Sequence, residues 1–340
     1  MASPEMAAAG RPALPTYREL LERDDAPAGS TWGLFGEGDQ LGCLNLVTPE
    51  ATRAAASLVR TGRVINLDYP VNAFVPSIAG TRPATEHHIF ANNPNHRDDW
   101  LDSFYLQSTS QIDGLRHIRH PEHGFYGGVA DEAVGEGLPS LGMQLVAEHG
   151  IAARGVLLDM PAYYASVGRE YTGRERFGVT AADLDGARRR QGVEFASGDV
   201  LIVYLAWSEQ YLAGDDAVRA AMRSAGSPGL HQSSEMLEYL WDHRFAMVAS
   251  DNAGVEMFPV DPDSGFVDPQ EPPPERGPLH NGMMHRPLLA LLGLLLGECW
   301  KLDELAADCA ADGRSEFLLT AKPLNLLGGV GSPPNAMAIR

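Results

Sequence analysis

The sequence predicts a protein of the α/β or α+β class, and two observations carry that prediction. Capped helical segments alternate with short runs of β-branched and apolar residues. No internal repeat or low-complexity linker divides the chain, so residues 16–340 read as one domain behind a flexible tail at 1–15. With 340 residues, 44% of them hydrophobic, the chain can bury a sizeable core.

The elements follow in order. "MASPEMAAAGRPALP" lacks a basic start and an apolar run, so it is expected to be a frayed tail and not a signal peptide. "TPEATRAAASLV" opens a helix with Thr48 as N-cap, Pro49 in the first helical position and Glu50 in the first turn. "RVINLDYPV" reads as a strand. "SLGMQLVAEHG" reads as a helix ended by Gly150. "RGVLLDM" is a short buried strand. "TAADLDGARRRQG" is a helix whose Thr180 and Asp183 resemble a capping box. "SGDVLIVYLAW" is the clearest strand. "SSEMLEYLWDHR" is a helix, and "FAMVASDNAGVEM" a strand running into a loop in which Asn252 and Glu256 read as loop-fixing. "DPDSGFVDPQEPPPERG", Asp261 to Gly277, is an irregular acidic loop, a surface loop or a lid. "LHNGMMHRPLLALLGLLLGECW" reads as a mostly buried helix carrying His285, with Glu298 near its end. "LDELAADCAADG" is a helix closed by Gly313, and "EFLLTAKPLNLLGGVGSPPNAMAIR" supplies a strand and a Gly-rich turn.

The net charge of −19 argues against nucleic acid and against anionic membrane surfaces as partners. The most apolar run, "PLLALLGLLLG", is too short to span a bilayer. Cys43, Cys299 and Cys309 are odd in number and form no CxxC, so buried reduced thiols and a cytoplasmic location are expected.

Three groupings could carry chemistry. Asp113 and His117, in "QSTSQIDGLRHIRH", would share one face if that segment were helical. Either could ligate a metal, or the carboxylate could orient the imidazole as a general base. His117, His120 and His123 are spaced poorly for convergence, and Pro121 would break a helix there. Glu298 follows an apolar run; if buried it needs a cation, a metal or a proton, and His285 lies upstream of it. "LLGGVGSPP" and "GLFGEG" lack the strand–helix context of a phosphate loop, and there is no G-x-S-x-G or HExxH.

From Trp32 onward the chain resembles the cyclase family that includes bacterial kynurenine formamidases and isatin hydrolases. The resemblance is carried by "WGLFGEGDQLGCLNLVTPEATRAAASLVRTGRVINL", "RGVLLDM", "GDVLIVYLAW", "SPGL", "ASDNAGVE", "LLGECWKLDELAADCA" and "EFLLTAKPLNLLGGVGSPPNAMAI". The family motif H-x-G-T-H-x-D-x-P-x-H is met here by Q-S-T-S-Q-I-D-G-L-R-H. The resemblance implies an α/β fold, a central β-structure flanked by helices, in a homodimer or homotetramer. It implies Asp113 as a metal ligand, His117 as acid/base, and His285 and Glu298 as ligands of a second metal position. Gln107 and Gln111 replace the family's two other metal histidines. Amide oxygens are poorer ligands than imidazoles for zinc or manganese. The expectation is therefore either no cofactor or one divalent metal, Zn or Mn, at Asp113, His285 and Glu298.

The expected function is an enzyme acting on a carbonyl-containing small molecule, an amide, lactam or polyketide-like compound. It would act by hydrolysis or by cyclisation or elimination, with His117 as base oriented by Asp113. Glu298 and His285 would bind metal or shuttle a proton. Gln107 and Gln111 would position the carbonyl oxygen. Trp32, Phe35 and Tyr126 are expected as apolar walls, with His231 lining the pocket. The alternatives are a metal-dependent arylformamidase-type hydrolase and a non-catalytic binding descendant of the fold.

Overall fold

The computed structural model describes residues 14–78, 80–272 and 280–340. In chain order the elements are α1 (Tyr17–Leu21), α2 (Pro49–Ala56), β1 (Val64–Asn66), β2 (Glu86–Asn93), β3 (His96–Asp102), β4 (Gln111–Asp113), α3 (Met143–His149), β5 (Ile151–Asp159) and α4 (Met160–Ser166). There follow β6 (Phe177–Val179), α5 (Ala181–Gln191), β7 (Val200–Tyr204), α6 (Trp207–Ala213), α7 (Asp216–Ala225), β8 (Pro228–Leu230), α8 (Ser234–Asp242) and β9 (Met247–Ser250). The chain closes with β10 (Leu295–Glu298), α9 (Asp303–Asp312), β11 (Glu316–Ala321), β12 (Gly331–Ser332) and β13 (Ala336–Ile339).

The expected α/β class is what folds. One nine-stranded sheet runs β1-β13-β11-β5-β7-β9-β10-β4-β12. Its middle, β5-β7-β9-β10, is parallel, and antiparallel strands extend it on both sides. Val200 to Val203 and all of β9 are buried. That is why "DVLIVY" and "AMVAS" are continuous apolar runs: parallel strands covered on both faces have no polar alternation. The helix ends follow local chemistry. Thr48 Oγ1 accepts from the Ala51 amide, Thr180 and Asp183 form a capping box, and Gly150 and Gly313 end their helices at positive φ.

Two readings need correction. Residues 1–13 of the expected tail lie outside the described residues, but Pro15 belongs to the folded body: its carbonyl accepts from Trp241 Nε1 at 2.8 Å and from Arg244. The long helix expected over residues 279–300, carrying His285 and Glu298, does not form between those two residues. His285 opens a single π-helical turn, Arg286–Leu291, and Leu295–Glu298 is a strand. The break is at Gly293, φ +65°, where two backbones cross. A Cβ on Gly42 would overlap the Gly293 carbonyl oxygen, and one on Gly293 would meet the Tyr126 ring at 2.5 Å. Cys43 N donates to Gly293 O across the same crossing, at 2.8 Å. Apolar runs this short do not by themselves distinguish a buried helix from a buried strand.

Strands β2 and β3 stand outside the main sheet as a two-stranded ribbon. Its root is clasped by Asn72, which bonds both the amide and the carbonyl of Thr85 at 2.8 Å.

Candidate functional site

The site forms where β4 joins the sheet. In the antiparallel β4–β10 ladder, Gln111 lies opposite Glu298 and Asp113 opposite Leu296. Directly paired residues share a face, as do residues two apart on one strand. Gln111, Asp113 and Glu298 therefore point the same way. Trp300 Nε1 donates to the Gln111 carbonyl at 3.0 Å, and Ser110 Oγ to the Cys299 carbonyl at 2.7 Å, which fix the register from behind. Asp113 ends a strand and does not share a helix face with His117, which follows in a turn closed by His117 N to Gly114 O.

The π-helical turn brings His285 over these carboxylates. Its Nε2 lies 3.1 Å from Glu298 Oε1 and 3.9 Å from Asp113 Oδ2. Its Nδ1 is held at 2.5 Å by Glu256 Oε1. The Glu256 carboxylate also accepts the backbone amides of Met284 and His285, both at 2.7 Å. Asp113, His285 and Glu298 each offer a ligand atom, and these atoms lie within 4.8 Å of one another. All three residues are buried, as is Glu256.

Gln107 and Gln111 face the cluster, but their amide hydrogens are engaged by its carboxylates. Gln107 Nε2 donates to Asp113 Oδ1 at 2.6 Å, and Gln111 Nε2 to Glu298 Oε2 at 2.6 Å. Each carboxylate is thereby held by one oxygen. The other oxygen, Asp113 Oδ2 or Glu298 Oε1, is turned toward His285. The expected direct orientation of His117 by Asp113 is not made: Nε2 to Oδ2 is 3.8 Å, and the Gln107 amide sits between them, 3.2 Å from His117 Nδ1.

Burial sets the electrostatics. It pushes the His117 imidazole below the ordinary histidine range, against the opposing pull of Asp113. Burial also disfavours a charged His285, yet Glu256 and Glu298 outweigh it and hold that imidazole well above its usual value. Burial and then the charge of Asp113 raise the Glu298 carboxyl to about 7, with His285 pulling the other way. A pocket with three buried carboxylates and one imidazole clamped between two of them has a deficit of positive charge.

Several residues make their contacts elsewhere. Trp32 Nε1 donates to Ala290 O at 2.8 Å, supporting the π-helical turn from outside. Tyr126 donates to Asp39 at 2.9 Å, and with Trp32 it lines a separate cleft together with Asp39 and Gln40. Phe35 packs edge-on against Trp241. His231 pairs with Asp261 at 3.1 Å, at the start of the acidic loop. His120 and His123 stack on each other at 4.7 Å. The acidic loop is held by Asn281, which bonds Asp268 and Pro272; residues 273–277 of it lie outside the described residues.

Three residues near the site carry no functional expectation from the sequence. Glu256 fixes a loop, as expected, but the segment it fixes is the one that carries His285. His280 places its ring 6.3 Å from that of His117 and 6.1 Å from that of His285. Arg82 acts electrostatically on both His117 and Glu298. Glu256 closes the family-like segment "ASDNAGVE", but no motif marks His280 or Arg82 in the sequence.

Among the described residues no helix is long and apolar enough to cross a membrane. No curated protein matches the chain. The solved structure of a novel cyclase is similar at 31% identity and a TM-score of 0.77, covering 92% of this chain and 99% of that one. Isatin hydrolase A from Ralstonia solanacearum shares the fold at 18% identity, TM-score 0.54, covering 86% and 98% of the two chains. Isatin hydrolase A from Labrenzia aggregata, bound to benzyl benzoate, does so at 17% identity, TM-score 0.53, covering 84% and 94%. The family model described as "Putative cyclase" matches residues 65–257, a span that runs from β1 through Gln107, Asp113 and His117 to Glu256. That span, more than half the chain, and a 31% identical cyclase covering nearly all of it place the protein in the cyclase family.

Proposed function

We propose that the chain is a hydrolase of a carbonyl-containing small molecule, an amide or lactam, that works with one divalent cation held by Asp113, His285 and Glu298. The observation that carries this reading is the convergence of those three donors within 4.8 Å in a buried, charge-deficient pocket. The donor set fits the ion: two carboxylate oxygens and an imidazole nitrogen suit zinc or manganese. Glu256 behind His285 is the carboxylate–histidine support that metal-ligating imidazoles carry. The two glutamines then act on the carboxylates and not as ligands, each fixing one oxygen and leaving the other for the ion.

When bound, the cation would supply Lewis-acid polarisation of a carbonyl and acidify water. The chain's own part is proton transfer. His117, kept neutral by burial, accepts a proton from water as it attacks the carbonyl carbon, and returns that proton to the leaving nitrogen as the C–N bond breaks. The fold shared with isatin hydrolases supports an amide-type substrate as the first class to assay.

The test is metal content per chain on untagged protein by elemental mass spectrometry, with and without added zinc or manganese, alongside turnover of a lactam and N-acyl panel. About one metal per chain, lost in Asp113→Asn, and turnover abolished by chelation are expected. Turnover that persists after complete metal removal would sink the proposal.

A further inference from the structure

One arginine beside the site has no partner, and it bears on what the site takes. Among the described residues Arg82 is the one half-buried arginine whose side chain makes no hydrogen bond or ion pair. The chain has 45 acidic residues against 26 basic ones, so acceptors for a guanidinium are plentiful elsewhere. Other arginines drawn in from solvent use them: Arg116 donates to the Leu138 and Gly135 carbonyls, Arg154 pairs with Asp199, and Arg286 with Glu271 at 2.6 Å. A guanidinium carries five donors in a planar fork, and taking it partly out of water without acceptors costs free energy.

Hydrogen bonds fix where Arg82 stands. Ser110 Oγ accepts from the Tyr69 amide at 2.8 Å, and Thr109 Oγ1 donates to the Pro70 carbonyl at 3.4 Å. The segment from Tyr69 to Asn72 therefore lies beside the start of β4, the strand of Gln111 and Asp113. Asn72 clasps Thr85, and the Arg82 amide donates to Ser77 Oγ at 3.1 Å. The loop that carries Arg82 is thus tied down next to the cluster. From there its charge is felt at His117, Glu298 and the buried Cys299, yet no carboxylate of the described residues lies within 4.0 Å of it. The guanidinium overlooks the cluster without closing on it.

We propose that Arg82 binds a carboxylate carried by the substrate, so that the site takes amides or lactams bearing an acid group apart from the reacting carbonyl. The site and its amide or lactam chemistry come from the reading above, on which this rests; the acid is what Arg82 adds. An anion approaching this pocket meets a chain of charge −19 and three buried carboxylates, so it needs a fixed cation to be held there. The guanidinium fork matches a carboxylate in a two-point, charge-assisted geometry. An acid anchored at Arg82 would leave the rest of the molecule to reach His117 and Glu298, which fixes its orientation. If Arg82 served only to offset the charge of the cluster, it would act on acid and neutral ligands alike.

The experiment is calorimetric binding of matched pairs to the full chain: N-formylglycine, N-acetylglycine and N-benzoylglycine, each against its primary amide. It is repeated with Arg82→Gln and Arg82→Lys, after circular dichroism and metal content show that fold and cluster are kept. At least one acid is expected to bind ~10-fold or more tightly than its amide, the usual effect of a charged hydrogen bond. Arg82→Gln is expected to remove that preference with the amide's affinity unchanged, and Arg82→Lys to keep part of it. No preference for any acid, a preference that survives Arg82→Gln, or an equal loss for acid and amide would each overturn the proposal. Binding is read without turnover, so a chain that shows the preference and cleaves none of these compounds, or any longer lactam or N-acyl acid, would overturn the hydrolase reading and leave the role of Arg82 intact.

Discussion

At His285 an imidazole faces two carboxylates, and its orientation is set from behind by Glu256 at 2.5 Å. Replacing that carboxylate by an amide of the same shape removes the charge that holds Nδ1–H. Glu256→Gln is therefore expected to weaken zinc or manganese binding 10- to 100-fold, the usual range for such supporting groups, read by titration calorimetry. Unchanged affinity would remove Glu256 from the site. His117→Ala is expected to lower kcat on the natural substrate class by roughly 10²- to 10⁴-fold with metal content unchanged, since a general base contributes about that much. Asp113, His117, His285 and Glu298 were visible in the sequence because acids and imidazoles in apolar surroundings or beside a family-like motif demand an explanation. The work Glu256 does was not visible, because its partner lies 29 positions away and only the folded chain brings them together. For the same reason the sequence points the glutamines at a substrate, whereas in the fold their amides meet the carboxylates.

At the level of elements, most helices could be read from their caps, which are local chemistry. The stretch between His285 and Glu298 could not, because its conformation is fixed by a crossing of Gly42 and Gly293 that no local pattern encodes. Both glycines have positive φ, and Gly42→Ala forces its new carbon into a backbone oxygen. The variant is expected to lose at least ~2 kcal/mol of stability in denaturant titration. A second prediction concerns the β1–β13 edge. Just after β1, Asp68 Oδ2 accepts from Ala336 N at 3.1 Å, while Oδ1 is buried without a partner. Burial raises the Asp68 carboxyl to about 6. Its folded value exceeds its unfolded one, so the unfolded chain releases the proton first. Stability from this group is then present in full below about pH 4 and falls as pH rises through 6, by up to about 3 kcal/mol. Asp68→Asn should flatten the dependence of Tm on pH across that window. An unchanged slope would show that Asp68 is ionised throughout.

For the molecule as a whole, a cation that binds only the folded chain stabilises it by mass action. At a hundredfold excess over Kd the gain is about 2.7 kcal/mol, and a rise in Tm of several degrees on adding zinc or manganese is expected by calorimetry. His285→Ala should abolish the rise; a rise that survives would place the ion elsewhere.

The β4–β10 pairing has a consequence for how the protein is made. Gln111 and Glu298 are 187 residues apart in the chain, and among the described residues β4 has no sheet neighbour other than β10 and β12, both in the last 50 residues of the sequence. At about 5–20 residues per second, a ribosome that has produced Asp113 needs on the order of 10–40 s more before its pairing strand exists. Through that interval the nascent chain holds an unpaired strand edge close in sequence to the exposed Ile89, Phe90, Trp100 and Leu101, so during synthesis this region is the one most in need of chaperone cover.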